Sequence, residues 1–243
     1  MNITTVVDPS TDVLVTTVIN KTVAAITHNW QQYRPAHIVL TGGRTGVQIA
    51  QTLDTQIFRH ISADKSGDVF TLHIWFSDER FTELSDPERT DTKLIAAFTK
   101  SPKAKNLNIN FHRVSSPESL TLEEAADEYA HHLDDSLSEH QFDAVLLSMG
   151  EDGHIASLFP GLESASHSFK FAVAVDNSPK PPAERVSISA DRLANSSAIY
   201  IFALGESKRE ALVNLMEHHQ GPVALLQEAC RFGQMMIATD LKI

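Results

Sequence analysis

The chain has 243 residues, of which 42% are apolar and 21% charged, enough to bury a core without disulfides and too apolar for a disordered chain. Its formal charge of -11 disfavours loose association with nucleic acid or anionic lipid, but leaves room for a local Arg/Lys cluster that binds a phosphate. The one cysteine, Cys230, excludes an internal disulfide, and no apolar run reaches membrane-spanning length. The N-terminal stretch MNITTVVDPSTDVLV lacks the basic and apolar regions of a signal peptide, so the expected location is cytoplasmic.

Residues 11 to 33 are predicted helical, because Val15, Val18, Ile19, Thr22, Val23 and Ile26 recur at helical spacing before Pro35. A strand over 37–40 runs into Thr41-Gly42-Gly43-Arg44-Thr45-Gly46, and a helix is expected from about 47 to 53. A second strand, 71–76, ends at the polar run Ser77-Asp78-Glu79-Arg80. A loop over 81–88 then leads to a helix over 89–98 and a loop over 101–108. Ile109, Phe111 and Val114 suggest a short strand. The long amphipathic helix 120–137, with Ser119 or Thr121 as its cap, precedes the most apolar strand, 142–147. Strands follow at 171–175 and 185–189, separated by the proline-rich loop Pro179-Lys180-Pro181-Pro182. The remainder reads as a brief helix at 191–194, a strand at 198–204, helices at 207–218 and 225–230, and an edge strand at 235–238.

This alternation predicts an α/β fold over residues 1–243 as a single domain, with a mostly parallel sheet and helices on both faces. Ligands in such sheets bind beyond the carboxyl ends of strands. Three segments fall there: Gly42-Gly43-Arg44, Asp78-Glu79-Arg80 and Glu151-Asp152-Gly153-His154. His154 carries an imidazole suited to proton transfer, in a turn permitted by Gly150 and Gly153. Asp152 is placed to orient the ring, the turn or a substrate hydroxyl. Taken alone, the turn fits equally an Asp-rich turn whose His caps a helix. The Gly42-Gly43 pair opens a helix with bare backbone, but matches neither the dinucleotide fingerprint nor a Walker A loop. Arg80 and Arg185 are candidate phosphate ligands through their guanidinium groups, with Lys180 and Lys208 weaker candidates and surface salt bridging the alternative fate. His131-His132 and His218-His219 are helical neighbours that do not share a face, no zinc signature occurs, and no G-x-S-x-G elbow is present. General acid–base chemistry without a metal or covalent intermediate is the expectation.

The stretch Leu147-Ser148-Met149-Gly150-Glu151-Asp152-Gly153-His154-Ile155-Ala156-Ser157-Leu158-Phe159-Pro160-Gly161 resembles the signature of the 6-phosphogluconolactonase family, in which an apolar strand precedes G-x-G-x-DGHTASLFPG. TGGRTG at 41–46, SDERF at 77–81, PKPPAERVSIS at 179–189 and ALGESKREAL at 203–212 follow the family's order. The resemblance implies a modified Rossmann-like sugar-phosphate isomerase fold and hydrolysis of 6-phospho-D-glucono-1,5-lactone in the oxidative pentose phosphate pathway. It implies no cofactor or metal, a phosphorylated sugar lactone as the small-molecule partner, and no nucleic acid, membrane or obligate protein partner. It makes His154 the base, with Asp152 organising its turn, and gives Gly42 and Gly43 backbone contacts to substrate. Asp78 would hold a loop or sugar hydroxyls, and Arg80 and Arg185 would bind the phosphate, assisted by Arg44 and Lys180. The chain departs from the pattern at Ser148, Thr82, Glu83, Thr90 (usually Asn), Ile155 (usually Thr) and in ending at Ile243.

Two alternatives accompany this expectation. A glucosamine-6-phosphate deaminase, whose pattern reads DGHIAFNE, matches Ile155 but needs a Glu where this chain has Phe159. A non-catalytic sugar-phosphate-binding protein would be favoured by loss of His154 or the arginines, which are all present.

Overall fold

A computed structural model describes residues 3–63, 68–102, 105–137, 140–230 and 233–242. The chain runs β1 (Ile3–Val7), α1 (Thr11–Gln31), β2 (Ala36–Leu40), α2 (Gly43–Ala63), β3 (Phe70–Phe76), β4 (Asp78–Arg80), α3 (Thr90–Phe98), β5 (Leu107–His112), α4 (Leu122–Leu137) and β6 (Ala144–Ser148). It continues through β7 (Ala172–Val175), β8 (Arg185–Ile188), α5 (Ala190–Ala194), β9 (Ala198–Ala203), α6 (Arg209–His218), α7 (Pro222–Ala229) and β10 (Gln234–Thr239). Of the loop expected over 101–108, residues 103 and 104 lie outside the described residues, as does Ile243.

Seven strands form one sheet in the order β1-β10-β9-β6-β2-β3-β5, and every neighbouring pair is parallel. Parallel strands need helical crossovers, so the apolar sheet is covered on both faces. The side chains divide with the strand's period of two. Ile38, Leu40, Ile74, Phe76, Ala144 and Leu146 pack with α1, α2 and α3. Val39, Trp75, Val145, Leu147, Ile199 and Ile201 face α4, α5, α6 and α7. Helix starts follow local chemistry: Ser10 caps α1. At α4, Thr121 Oγ1 accepts from the Glu124 N–H at 3.3 Å while Glu124 accepts from the Thr121 N–H at 2.8 Å, a reciprocal capping box.

The structure corrects the sequence reading at four elements. The final strand, β10, is internal rather than an edge, because β1, unforeseen in the sequence, pairs with its outer side. Only Ile3 and Val6 of β1 are even half-buried, so its pattern carries little signal. Helix α2 begins at Gly43 and extends to Ala63, well past Leu53. Asp78-Glu79-Arg80 is not a loose strand end but a strand, β4, antiparallel to β8 in a second sheet of order β4-β8-β7.

Three histidines, His37, His73 and His112, stack on one face of the main sheet, and His132 of α4 meets them edge-on. His37 and His73 lie 4.3 Å apart between ring centroids, and Trp75 and His112 lie 3.6 Å apart. Hydrogen bonds run from His73 to His112 at 2.8 Å and from His112 to His132 at 3.2 Å. Burial pushes His37 and His112 from 6.5 down to about 3, with neighbouring histidine charges adding to the effect. The folded state therefore excludes protons that the unfolded chain accepts as pH falls through 6.5. Stability measured by urea unfolding should fall between pH 6.5 and about 5, where ordinary carboxylates are still largely ionised. A flat profile over that window would contradict the buried neutral stack.

Candidate active site

The three candidate segments meet because β6, β2 and β3 are adjacent and parallel. The chain leaves β2 at Thr41, whose N–H bonds Leu146 O at 2.9 Å, and leaves β3 at Ser77, whose N–H bonds Leu40 O at 2.9 Å. The Gly42-Gly43 turn, β4 and the turn after β6 therefore occupy one edge of the sheet.

The turn after β6 closes on itself. The Gly150 N–H bonds His154 O at 2.7 Å, and the Gly153 N–H bonds Gly150 O at 3.1 Å. A Cβ on Gly150 would lie 2.0 Å from His154 Nδ1, so the ring occupies space only glycine leaves free. Gly153 takes φ +83°, and Ala156 is a non-glycine residue at φ 50°. Asp152 accepts a short hydrogen bond from His154 Nδ1. That partner fixes Nδ1 as the protonated nitrogen and leaves Nε2 with a free lone pair. Lys180 Nζ lies 3.4 Å from the same Nδ1 and 3.7 Å from Asp152 Oδ1. With Nδ1 donating, the Lys180 contact is an ion pair with Asp152. Burial lowers the His154 pKa below 6.5, Asp152 opposes the shift and Lys180 adds to it. The imidazole is a free base at neutral pH.

Phe159 joins this turn to the second sheet. Its ring lies 4.5 Å from the His154 ring and 5.7 Å from the Arg185 guanidinium. Ser157, two residues earlier, donates to Asp78 Oδ2 at 2.7 Å, and Asp78 also accepts from Ser77 Oγ at 2.8 Å. Asp78 thus ties the histidine loop to β4. Arg80 and Arg185 are direct register partners across β4 and β8. Like charges placed opposite one another repel, unless an anion sits between them. Arg185 is buried and spends its Nε and Nη2 donors on Pro182 O at 3.1 Å, Lys180 O at 3.0 Å and Pro181 O at 3.3 Å. Only Nη1, 3.5 Å from Ser157 Oγ and 3.9 Å from Asp78, is left for a ligand, so Arg185 also shapes the loop that carries Lys180. The Arg80 guanidinium reaches Glu88 O through Nη1.

At the start of α2, Gly43 has φ +73°, and a Cβ on Gly42 would lie 3.0 Å from the Thr90 side chain. Thr90, one of the positions that depart from the pattern, therefore abuts the glycine turn. Arg44 is exposed in the first turn of α2, and its side chain makes no hydrogen bond or ion pair with another described residue. Ile155, another of the departures, is fully buried in the core.

A family profile described as "Glucosamine-6-phosphate isomerases/6-phosphogluconolactonase" matches residues 9–236. The chain belongs to this family. A 6-phosphogluconolactonase of Streptomyces coelicolor is 31% identical over 184 residues, 73% of this chain and 69% of that protein. Another from Mycobacterium tuberculosis is 30% identical over 209 residues, 84% of this chain and 82% of its own. The 6-phosphogluconolactonase structure from Trypanosoma cruzi shares the fold, with a TM-score of 0.79 at 21% identity over 98% of this chain and 94% of that one.

Within the family's fold, several contributors escaped the sequence reading. Ser157 and Phe159 stand inside the signature, yet nothing local reveals that one reaches Asp78 and the other underlies the His154 ring. Lys208, a weaker candidate in the sequence with a solvated charge as its alternative, has a side chain only 19% exposed and comes within 3.6 Å of Glu151 in the histidine turn. Glu79, between the two residues singled out, is fully buried. For the turn itself, Gly150→Ala should displace the imidazole and lower turnover by about 10²-fold, the scale of an ångström misplacement. The check is steady-state kinetics beside a circular dichroism spectrum; a folded variant with wild-type turnover would remove the steric requirement.

Proposed function

We propose that the protein hydrolyses 6-phospho-D-glucono-1,5-lactone to 6-phospho-D-gluconate, a step of the oxidative pentose phosphate pathway. One observation carries the reading: Phe159 links a His154–Asp152 pair, free at Nε2, to a cross-strand arginine pair. A base and a candidate anion site thus border the same ring, as a phosphorylated ester requires. The family and its lactonase relatives support the same reading.

In this mechanism His154 Nε2 takes a proton from water as the water oxygen attacks the lactone carbonyl. General-base assistance of this kind is worth roughly 10²- to 10⁴-fold. The tetrahedral oxyanion is stabilised by the backbone N–H groups at the Gly42-Gly43 turn and the positive end of α2, whose first turn holds no acidic residue. Collapse breaks the bond from the carbonyl carbon to the ring oxygen, and the imidazolium returns its proton to that oxygen. Asp152 keeps the ring in the required tautomer. Arg80, the Nη1 edge of Arg185 and Lys180 bind the phosphate, whose remote contacts orient the reacting carbon. Arg44 and Lys208 add positive charge at the margin. The lactone carbonyl is electrophilic enough to need no cofactor. A deaminase would need a proton-transferring side chain at 159, where a buried phenyl ring stands. No described helix is long and apolar enough to cross a membrane, and a cytoplasmic site of action accords with the reading.

Purified protein should accelerate lactone hydrolysis above its spontaneous rate, followed by acid release; no acceleration refutes the proposal. His154→Ala should lose about 10²- to 10⁴-fold in turnover. The His154 pKa is lowered, so the base stays neutral until the solution is more acid than its ordinary 6.5. Catalysed hydrolysis of unphosphorylated gluconolactone, free of the phosphate's own titration, should be level at neutral pH and decline with an inflection below 6.5. An inflection above that value would exclude His154 as the base. Arg80→Ala should reduce kcat/KM for the phosphorylated lactone by about 10- to 100-fold, the loss of one charge-assisted hydrogen bond. The unphosphorylated lactone should be little affected, and equal loss on both substrates would exclude Arg80 as a phosphate ligand.

A further inference from the structure

The side chain of Glu79 is fully buried, on the face of β4 opposite to Asp78 and Arg80. Its carboxylate spends both oxygens on backbone donors. Oε1 accepts from the N–H of Arg80 at 2.8 Å and of Thr90 at 2.7 Å, and Oε2 accepts from the N–H of Asp91 at 2.8 Å. Thr90 and Asp91 are the first two residues of α3, and Arg89, the residue before them, makes no side-chain cap. Glu79 is thus the helix cap, supplied from eleven residues upstream. A carboxylate there also answers the positive helix end.

The same bonds close the loop between β4 and α3 upon itself. Arg89, fully buried within that loop, lies 3.9 Å from Glu79 and bonds Asp91 at 2.9 Å, Thr82 O at 2.9 Å and Val114 O at 2.7 Å. The Arg80 guanidinium, leaving β4, is received by Glu88 O, two residues before the Thr90 N–H that Glu79 holds. Thr90 in turn abuts Gly42. Moving Glu79 therefore moves the acceptor that aims Arg80 and the wall of the glycine turn together.

We propose that Glu79 is a positioning residue for the phosphate end of the site, clamping β4 to the start of α3 so that Arg80 is aimed and Thr90 stays against the Gly42-Gly43 turn. The inference rests on the lactonase reading above and deepens it. Glutamine at 79 keeps the volume but turns an amide N–H₂ toward a backbone N–H, so one of the three bonds is lost to a donor–donor contact. Proline at 90 deletes one clamp bond from the other side. Position 90 is the first residue of α3, which tolerates proline, and Arg89 before it has φ -57° and ψ 138°, as a residue preceding proline prefers.

The test compares kcat/KM for 6-phosphogluconolactone with that for unphosphorylated gluconolactone, in wild type, Arg80→Ala, Glu79→Gln and Thr90→Pro, alongside thermal melts. In both clamp variants the preference for the phosphorylated substrate should fall about tenfold, mainly through KM, as expected for a slightly misplaced binding group. Hydrolysis of the unphosphorylated lactone should also fall, through the shifted glycine turn, but by about tenfold less than that of the phosphorylated lactone. A merely structural role would lower the melting temperature and leave the preference intact, and that result in either folded variant overturns the proposal. Should Glu79→Gln fail to fold, Thr90→Pro decides. A wild type without preference for the phosphorylated lactone removes the proposed function and this inference with it. Preference lost in Arg80→Ala but kept in the clamp variants removes only the role of Glu79.

Discussion

Every strand of the main sheet runs in the same direction, and the site follows from that constraint. Parallel strands force each connection to cross a face, so both faces are buried and all carboxyl ends open along one edge. Turns that lie 42, 78 and 150 residues along the chain become neighbours because β2, β3 and β6 are neighbours. The small antiparallel sheet then supplies what the main sheet lacks, a rigid mount for Arg80 and Arg185.

The net charge of -11 contrasts with the cations Arg80, Lys180, Lys208 and Arg185 around the candidate site. Arg80 is held by the Glu88 carbonyl, and the other three have acidic partners. Asp78 lies 3.9 Å from Arg185, Asp152 lies 3.7 Å from Lys180, and Glu151 lies 3.6 Å from Lys208. Beneath them, Arg89 and Arg113 hold Asp91 below the usual carboxylate range despite its burial. The neighbouring Glu79 is pushed up by burial and by the Asp91 charge, with backbone N–H bonds and Arg89 opposing. A buried charge network costs desolvation and is a poor source of stability, but it fixes geometry when every lone pair is met. Here it fixes the loop that presents Arg80.

His154 differs from the stacked histidines by its company. His37, His73 and His112 share a buried stack in which each ring meets another ring, and burial holds them neutral. His154 meets a carboxylate at Nδ1 and a phenyl face, and its side chain remains 16% exposed. Only the second setting gives one nitrogen an orienting acceptor and leaves the other open to solvent. The stack also explains a run of polar residues in strands that otherwise read as core.

The sequence by itself determined the α/β class, most helices and strands, and the turn at Gly150 to His154. These are local matters: apolar period, capping residues, and glycines where a Cβ would strike a ring. The signature through Phe159 and Pro160 also separated hydrolysis from deamination, since a phenyl ring carries no proton. Tertiary structure alone decided the rest. β1 pairs outside β10, β4 opposes β8, and Ser157 reaches back 79 residues to Asp78, none of which leaves a periodic trace. Glu79 looked like one charge in a polar triplet, and only the arrival of α3 made it a buried cap. Arg185 looked like a free phosphate ligand, and the fold spends most of its donors on carbonyls at 180–182. Residue type fixes which bonds a side chain is able to make; which of them it does make depends on groups brought near by a sheet whose strand order the local pattern does not encode.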